Sequence, residues 1–148
     1  VFEVVLRAGQ DTVKVGEKLT VTATLINRAD HTITFGRDVY RSGCPVDVID
    51  GGGAVAPDKK PGYSRGRFDL QRLMSTMSPE ELAKSGLLNG KLAWISLKPG
   101  ETFEEACEVT SYYDMTKPGA YQIAAHEYRD LQGAGTIQAN RIAVTVTK

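Results

Sequence analysis

A serine nucleophile is the first chemistry that the residue types suggest. The run Gly62–Gly66 reads Gly-Tyr-Ser-Arg-Gly and matches G-x-S-x-G, the pattern around the nucleophile of α/β-hydrolases. His126 and Asp114 are present as a formal base and carboxylate. The pattern works only at a sharp turn from a strand of a parallel sheet into a helix. The preceding residues, Asp58–Pro61, are not strand-like, so we predict that Ser64 is not a nucleophile and that the chain is not an enzyme.

The composition offers few ligands for a metal or a cofactor. The two histidines, His31 and His126, fall on separate predicted strands. A zinc site would need them to converge with a carboxylate or with a thiolate, Cys44 or Cys107. The triplet Gly51–Gly53 lacks the lysine, the hydroxyl residue and the helix that follow in a phosphate-binding loop, so it predicts a turn. We therefore predict neither a metal site nor a cofactor.

The two cysteines leave two structures open. Cys44 and Cys107 are 63 positions apart (107 minus 44), a spacing that fits neither a zinc knuckle nor a C-x-x-C redox pair. If they pair, closing the loop stabilises the fold by about 4 kcal/mol. If they do not, each is a small buried hydrophobic residue.

The segment Gly51–Gly90 is the longest stretch without a strand pattern. A connection of this length inside a compact domain is usually functional, disordered or a cover over a sheet. It contains a run of cations with aromatic residues between them, and recognition is concentrated on loops held by a rigid scaffold. The alternative is a solvated loop whose charges offset the acidic strand Glu101–Glu108. We predict that the segment binds a protein partner through Arg65, Arg67, Phe68 and Arg72.

A short helix is predicted near the end of this segment. Ser78 suits the N-cap, Pro79 suits the first helical position, and Glu81 completes a capping box three residues after the serine. The helical pattern ends near Gly86, so the helix is short.

The overall charge and hydropathy exclude two kinds of partner. Lys and Arg together number 18, and Asp and Glu together number 18, so the formal net charge is zero. Nucleic-acid binders depend on a broad positive field for non-specific affinity, so we predict no nucleic-acid partner. Apolar runs are a few residues long, far short of the roughly 20 that a spanning helix needs, so we predict no membrane span.

Alternation with a period of two dominates the rest of the chain and predicts strands. The clearest strand is Leu19–Leu25, where aliphatic side chains alternate with threonines as in an antiparallel strand with one buried face. Asn27–Asp30 predicts a turn, and His31–Phe35 predicts the return strand.

The second half of the chain repeats this alternation. Glu105 falls on a mostly apolar face, which suits a sheet edge because an inward charge deters edge pairing. Trp94 is predicted to be a core anchor, although Leu92 and Ser96 share its face, which leaves a sugar-stacking role open. The strands predicted here are Leu92–Leu97, Phe103–Val109, Tyr121–Ala125 and Ile142–Val146.

About seven to nine short strands separated by turns are typical of two antiparallel sheets packed face to face. We predict one all-β domain over residues 1–148, an immunoglobulin-like antiparallel β-sandwich whose insertion at about residues 51–90 carries the short helix. A chain of this length buries enough surface to fold as one domain. It opens on the strand-like Val1–Leu6 without an initiator Met, so we expect a processed or trimmed terminus.

Four segments carry a resemblance to a known class. They are Val13–Val21, Leu97–Glu101, Tyr113–Ile123 and Asn140–Val146, and the third reads Y-D-x-x-x-P-G-x-Y-x-I. These segments resemble bacterial extracytoplasmic immunoglobulin-like modules, including BsuPI-type proteinase inhibitors and the all-β regions beside some secreted peptidases. The resemblance implies a sandwich fold and a secreted or periplasmic location, and it says little about function because such modules host many roles. The cysteines do not fall on the second and sixth strands, so the antibody disulfide is not implied.

The third segment predicts a corner that determines fold geometry. Pro118 and Gly119 make a tight turn, and the hydroxyl of Tyr121 can cross it to bond upstream backbone. We predict a structural role for these three residues.

These observations together predict a non-catalytic binding or accessory module of a secreted or periplasmic bacterial protein, acting through protein contacts. Two alternatives stay open. One is a BsuPI-like proteinase inhibitor that inserts an exposed loop into a protease cleft. The other is a carbohydrate-binding accessory domain that uses Trp94 or the pair Tyr112 and Tyr113.

Overall fold

The computed structural model describes residues 2–38, 43–60, 62–69, 71, 75, 77–85, 92–125 and 137–148. Most of these residues lie in short strands. In chain order the elements are β1 (Phe2–Ala8), β2 (Thr12–Lys14), β3 (Thr20–Asn27), β4 (Ile33–Asp38), β5 (Val46–Ile49), β6 (Tyr63–Ser64), β7 (Arg67–Phe68), α1 (Pro79–Ser85), β8 (Leu92–Leu97), β9 (Thr102–Glu108), α2 (Val109–Tyr112), β10 (Gly119–Ala125), β11 (Ile137–Ala139) and β12 (Arg141–Thr147).

Two four-stranded sheets form the body of the molecule. The first has the strand order β11–β1–β3–β9 and the second has the order β2–β12–β10–β5. Neighbouring strands are antiparallel except at two edges, where β11 runs parallel to β1 and β2 runs parallel to β12. The N-terminal segment therefore supplies one strand to each sheet, as immunoglobulin-like sandwiches do. The prediction of an all-β, immunoglobulin-like antiparallel β-sandwich is confirmed.

Alternating side chains place one face of each sheet in a shared core. On β3, Val21, Ala23 and Leu25 are buried, while the intervening Thr22 and Thr24 are half-buried. Burying a valine or leucine side chain contributes about 1.5–3 kcal/mol. The second sheet adds side chains from β10 and β12 to the same core, namely Tyr121, Ile123, Val144 and Val146.

The sequence pattern predicts that β4 returns along β3. In the structure, β4 pairs with β8 instead. The cause is the side chain of Asn27, which is fully buried where β3 ends. Its Nδ2 donates to the carbonyls of His31 and Leu97, at 3.0 and 2.8 Å, and its Oδ1 accepts from the amide of Ala29 at 2.9 Å. Because these bonds satisfy a buried amide at the bend, they direct the chain away from β3 and onto β8.

The insertion contains a small hairpin and the predicted helix. Strands β6 and β7 form a two-stranded antiparallel sheet of their own. The helix α1 begins at Pro79, and the Oγ of Ser78 accepts from the amide of Glu81 at 3.2 Å. The predicted cap and helix are therefore present in the structure, with the helix ending at Ser85.

Candidate functional site

The G-x-S-x-G run forms a β-hairpin and not a turn from a strand into a helix. Ser64 ends β6, and Arg67 begins β7. The two residues between them, Arg65 and Gly66, have φ angles of 51° and 76°. Positive φ at both central residues is what a two-residue type I′ hairpin turn requires. The serine thus lacks the helix and the parallel sheet that a nucleophile elbow needs.

The formal partners of Ser64 do not complete a catalytic site in the described residues. His126 lies outside the part of the chain that the structure describes. Asp114 accepts two bonds from Thr116, from its amide at 3.0 Å and from its hydroxyl at 2.6 Å. These bonds hold the pKa of the Asp114 carboxyl below its usual range. The Asp114 carboxylate is therefore engaged in a local turn.

Arg65, predicted to contact a partner, is held by the sandwich. Its Nε and Nη2 donate to the two carboxylate oxygens of Asp47 at 3.3 and 3.1 Å. Its backbone amide donates to Oδ1 of Asp58 at 2.7 Å. The side chain of Asp47 is 7% exposed and that of Arg65 is 58% exposed. The ion pair therefore links the hairpin turn to a nearly buried carboxylate on β5.

A disulfide lies directly beside this turn. Cys44 and Cys107 are bonded, with their Cα atoms 5.5 Å apart. Cys107 belongs to β9 of the first sheet, and Cys44 precedes β5 of the second sheet, so the bond connects the two sheets. The amide of Cys44 donates to the carbonyl of Gly66 at 2.8 Å. A Cβ at Gly66 would lie 2.7 Å from the Cys44 carbonyl oxygen, so only glycine allows this approach.

Tyr113 lies beneath the same contact and is fully buried. Its hydroxyl donates to the carbonyl of Val46 at 2.7 Å. Burial, followed by the negative charges of Asp47 and Asp58, raises the pKa of Tyr113 well above its usual range. The phenol therefore stays neutral and serves as a donor. A fully buried ring cannot stack on a sugar, so the carbohydrate hypothesis for Tyr113 is wrong.

Another cation of the basic stretch is also engaged within the molecule. The Nζ of Lys60 lies 4.9 Å from the ring centroid of Tyr63 and 4.5 Å from that of Tyr112. The two rings meet edge to face, with their centroids 5.2 Å apart. Lys59 donates from its Nζ to the carbonyl of Thr110 at 3.1 Å. The hairpin is thus fixed to α2 as well as to β5.

The remaining residues predicted to bind lie on or after β7. Arg67 is exposed and pairs in register with Ser64. The backbone of Phe68 pairs with Tyr63. Arg72 lies outside the described residues. The structure therefore places Arg65, Arg67 and the backbone of Phe68 together on one hairpin.

The Pro-Gly corner has the predicted geometry at its tyrosine. Gly119 begins β10 directly after Pro118. The hydroxyl of Tyr121 donates to the carbonyl of Lys117 at 2.7 Å. Burial raises the pKa of Tyr121 above its usual value, so this phenol also remains protonated.

Trp94 is the residue that sequence reasoning placed wrongly. It is 70% exposed, so the prediction of a core anchor is wrong. On β8 the inward positions belong to Ile95 and Leu97, which pack against the core, while Trp94 and Ser96 point to the other side. The sequence pattern places Trp94 on the same face as Ser96. That polar neighbour was the available signal that Trp94 would be exposed.

The described residues contain neither a cluster of metal ligands nor a long apolar helix. No group of three or more histidine, cysteine, aspartate or glutamate side chains in those residues could hold a metal ion. The Nδ1 of His31 lies 3.0 Å from Oδ1 of Asp30, and both cysteines are in the disulfide. None of the helices in the described part is long and apolar enough to cross a membrane.

The chain is similar to several solved structures. No family model and no curated protein sequence matches the chain. The CARDB domain of a Pyrococcus furiosus protein, solved in complex with di-metal ions, is similar with a TM-score of 0.46 and 14% identity, covering 99% of this chain and 93% of that one. A β-glucosidase from Listeria innocua is similar with a TM-score of 0.44 and 16% identity.

The β-glucosidase match is a match to a small part of that enzyme. It covers 100% of this chain but only 16% of the Listeria innocua chain. A β-glucosidase from Erythrobacter marinus is similar in the same way, with a TM-score of 0.44, 14% identity and coverage of 99% and 15%. Similarities at this level carry no conclusion about metals, sugars or catalysis in this chain.

Proposed function

We propose that this chain is a non-catalytic binding domain that contacts a protein partner through the β6–β7 hairpin. The observation that carries this proposal is the rigid anchoring of an exposed turn. The Arg65–Asp47 ion pair, the Cys44–Gly66 hydrogen bond and the lysine–tyrosine cluster all hold the hairpin on the sandwich. A surface held in one conformation loses little conformational entropy on binding.

The charge of the hairpin indicates the chemistry of the partner. Arg65 is largely neutralised by Asp47, and Lys60 lies against two aromatic rings. Arg67 is exposed beside them. Arginine is enriched among the residues that dominate protein interfaces. We infer that the partner presents acidic groups to this hairpin, and Phe68 and Arg72 remain predicted contacts.

The same proposal covers the domain organisation and the location. Buried residues from β1 to β12 belong to one hydrophobic cluster, which supports a single domain with residues 51–90 as its insertion. Disulfides persist in oxidising compartments, so the Cys44–Cys107 bond supports a secreted or periplasmic location.

Capture of secreted proteins by immobilised domain tests the proposal. Arg67→Glu reverses the charge of the proposed contact and is expected to abolish capture of the partner. Arg7→Glu, at an exposed arginine on β1 paired with Glu104, is the matched control and should leave capture intact. A partner captured equally well by both variants would overturn the proposal.

The contribution of Arg65 needs a separate variant. Arg65→Ala removes the guanidinium from a nearly buried carboxylate and is expected to lower stability by about 1–2 kcal/mol, less than in a fully buried pair. The unfolding of Arg67→Glu is measured beside it, so that a loss of capture can be separated from a loss of stability. A protease panel tests the alternative that the chain is a proteinase inhibitor. No inhibition at micromolar concentration would exclude that alternative.

A further inference from the structure

The outer face of the β4–β8 pair combines an exposed aromatic ring with hydroxyl groups. Side chains of this pair alternate between two faces. Ile33, Phe35 and Leu97 are buried on the inner face. Thr34, Trp94 and Ser96 are exposed on the outer face.

The indole of Trp94 is open to solvent. Of the described residues, Trp94 and Val15 are the large hydrophobic side chains that remain exposed, at 70% and 38%. Gly36 is the residue opposite Trp94 in the register, and it has no side chain that could lie over the ring. An exposed indole contributes nothing to the core and offers a flat apolar surface to a ligand.

Two hydroxyl groups lie next to this ring. Thr34 and Ser96 are directly opposite each other in the register, and their hydroxyl oxygens are 2.9 Å apart. Ser96 follows Trp94 by two residues, which corresponds to about 7 Å along a strand. At that separation, one ligand can contact the ring and the hydroxyls together.

The side chains at this point indicate the ligand class. Trp94 supplies an aromatic face, and Thr34 and Ser96 supply two hydroxyl groups. A neutral sugar needs an aromatic face for its C–H groups and a few polar groups that fix its orientation.

We infer that the outer face of the β4–β8 pair, at Trp94, Thr34 and Ser96, binds a neutral oligosaccharide. One sugar ring stacks on the indole, and the hydroxyl groups of the sugar bond to Thr34 and Ser96. This site is independent of the β6–β7 hairpin and adds a second binding surface to the proposed domain.

The sole tryptophan of the chain makes the test direct, since all tryptophan fluorescence comes from Trp94. An array of neutral and uronate glycans is screened first. Each binder is then titrated while the emission and the acrylamide quenching of Trp94 are followed. We expect at least one neutral glycan to shift the emission to shorter wavelength and to protect the indole from the quencher.

Variants measured by calorimetry assign the binding to the three side chains. Trp94→Ala is expected to weaken binding at least about tenfold, and Trp94→Phe less. Thr34→Val and Ser96→Ala are each expected to weaken it several-fold. Thr145→Val removes an exposed threonine hydroxyl on β12 and is the matched control, with no expected effect. Arg67→Glu should leave glycan binding unchanged, which separates this test from that of the hairpin.

Three results would overturn the inference. The first is an array without any neutral glycan that binds. The second is glycan binding that persists at full strength in Trp94→Ala. The third is a preference for uronates over neutral glycans, which would show that charge and not stacking on the indole selects the ligand.

Discussion

The two strand pairs outside the main sheets differ in how their surface residues are used. In the β6–β7 hairpin, the charged side chain of Arg65 is tied to Asp47, and the turn touches the disulfide through Gly66. In the β4–β8 pair, one face packs on the core and the other leaves Trp94 exposed. Arg65, which was predicted to contact a partner, is thus tied to the sandwich, and Trp94, which was predicted to pack in the core, is exposed.

This difference teaches that residue type alone does not assign a side chain to stability or to binding. A charged side chain stabilises when a buried counter-charge is within reach, as Asp47 is for Arg65. An aromatic side chain stabilises only when other elements cover it. Substitutions in the hairpin region should therefore change stability, whereas substitutions on the outer face of β8 should not.

Of the changes that test this comparison, removal of the disulfide should have the largest effect on stability. The double variant Cys44→Ala/Cys107→Ala is expected to lose about 4 kcal/mol of unfolding free energy, because the bond closes a long loop. Urea denaturation measures the loss. Reduced wild-type protein should unfold at nearly the same urea concentration as the variant. A loss below about 1 kcal/mol would mean that the hairpin region does not depend on the bond.

Substitution of Gly66 in the hairpin turn should have the next largest effect on stability. Gly66→Ala adds a Cβ 2.7 Å from the Cys44 carbonyl oxygen at a φ of 76°, so we expect a loss of about 3 kcal/mol from contact and strain together. Gly53→Ala is the matched control, since Gly53 has a φ of 86° and no atom within 4 Å of the added Cβ. It should cost about 1–2 kcal/mol. Equal losses in thermal unfolding would contradict the close approach to the disulfide.

The phenol of Tyr113 should contribute less. Tyr113→Phe leaves the buried Val46 carbonyl without its 2.7 Å donor, and we expect a loss of about 1–2 kcal/mol. The pH dependence provides a second readout. Because burial raises the pKa of Tyr113 in the folded state, the unfolded chain loses this proton first, at about pH 10.

The ionisation of Tyr113 therefore leaves stability unchanged below about pH 10 and lowers it as the pH rises further. In Tyr113→Phe that alkaline decline should be shallower, while Tyr121→Phe controls for a second buried phenol. Identical alkaline slopes in wild type and Tyr113→Phe would show that the hydroxyl is not held in a buried bond.

The smallest expected effect belongs to Trp94. Trp94→Ala should change the free energy of unfolding by less than about 0.5 kcal/mol, because an exposed side chain buries little area. Leu97→Ala, on the same strand but facing the core, should cost about 2–4 kcal/mol. A comparable loss in the two variants, measured by urea denaturation, would remove the distinction between the two faces of β8.

Much of the fold was predictable because it depends on local pattern. The alternation in Leu19–Leu25 predicted which side chains of β3 are buried, and Ser78 with Glu81 predicted α1. The pairing of β4 was not predictable in this way. It depends on the buried amide of Asn27 reaching the carbonyl of Leu97, 70 positions away in the chain. The candidate site stays a prediction, with Arg65, Arg67 and the backbone of Phe68 on one hairpin and Arg65 also bonded to Asp47.

The sequence by itself determined the period of the strands, the positions of the turns and which side chains share a face. Tertiary structure alone decided that Cys44 meets Cys107, that Asp47 receives Arg65 and that Trp94 stays exposed. The physical reason is that a strand pattern places residues on one side or the other of a pleated chain. Whether that side is covered depends on elements that are distant in sequence, and their positions are not encoded in any local pattern.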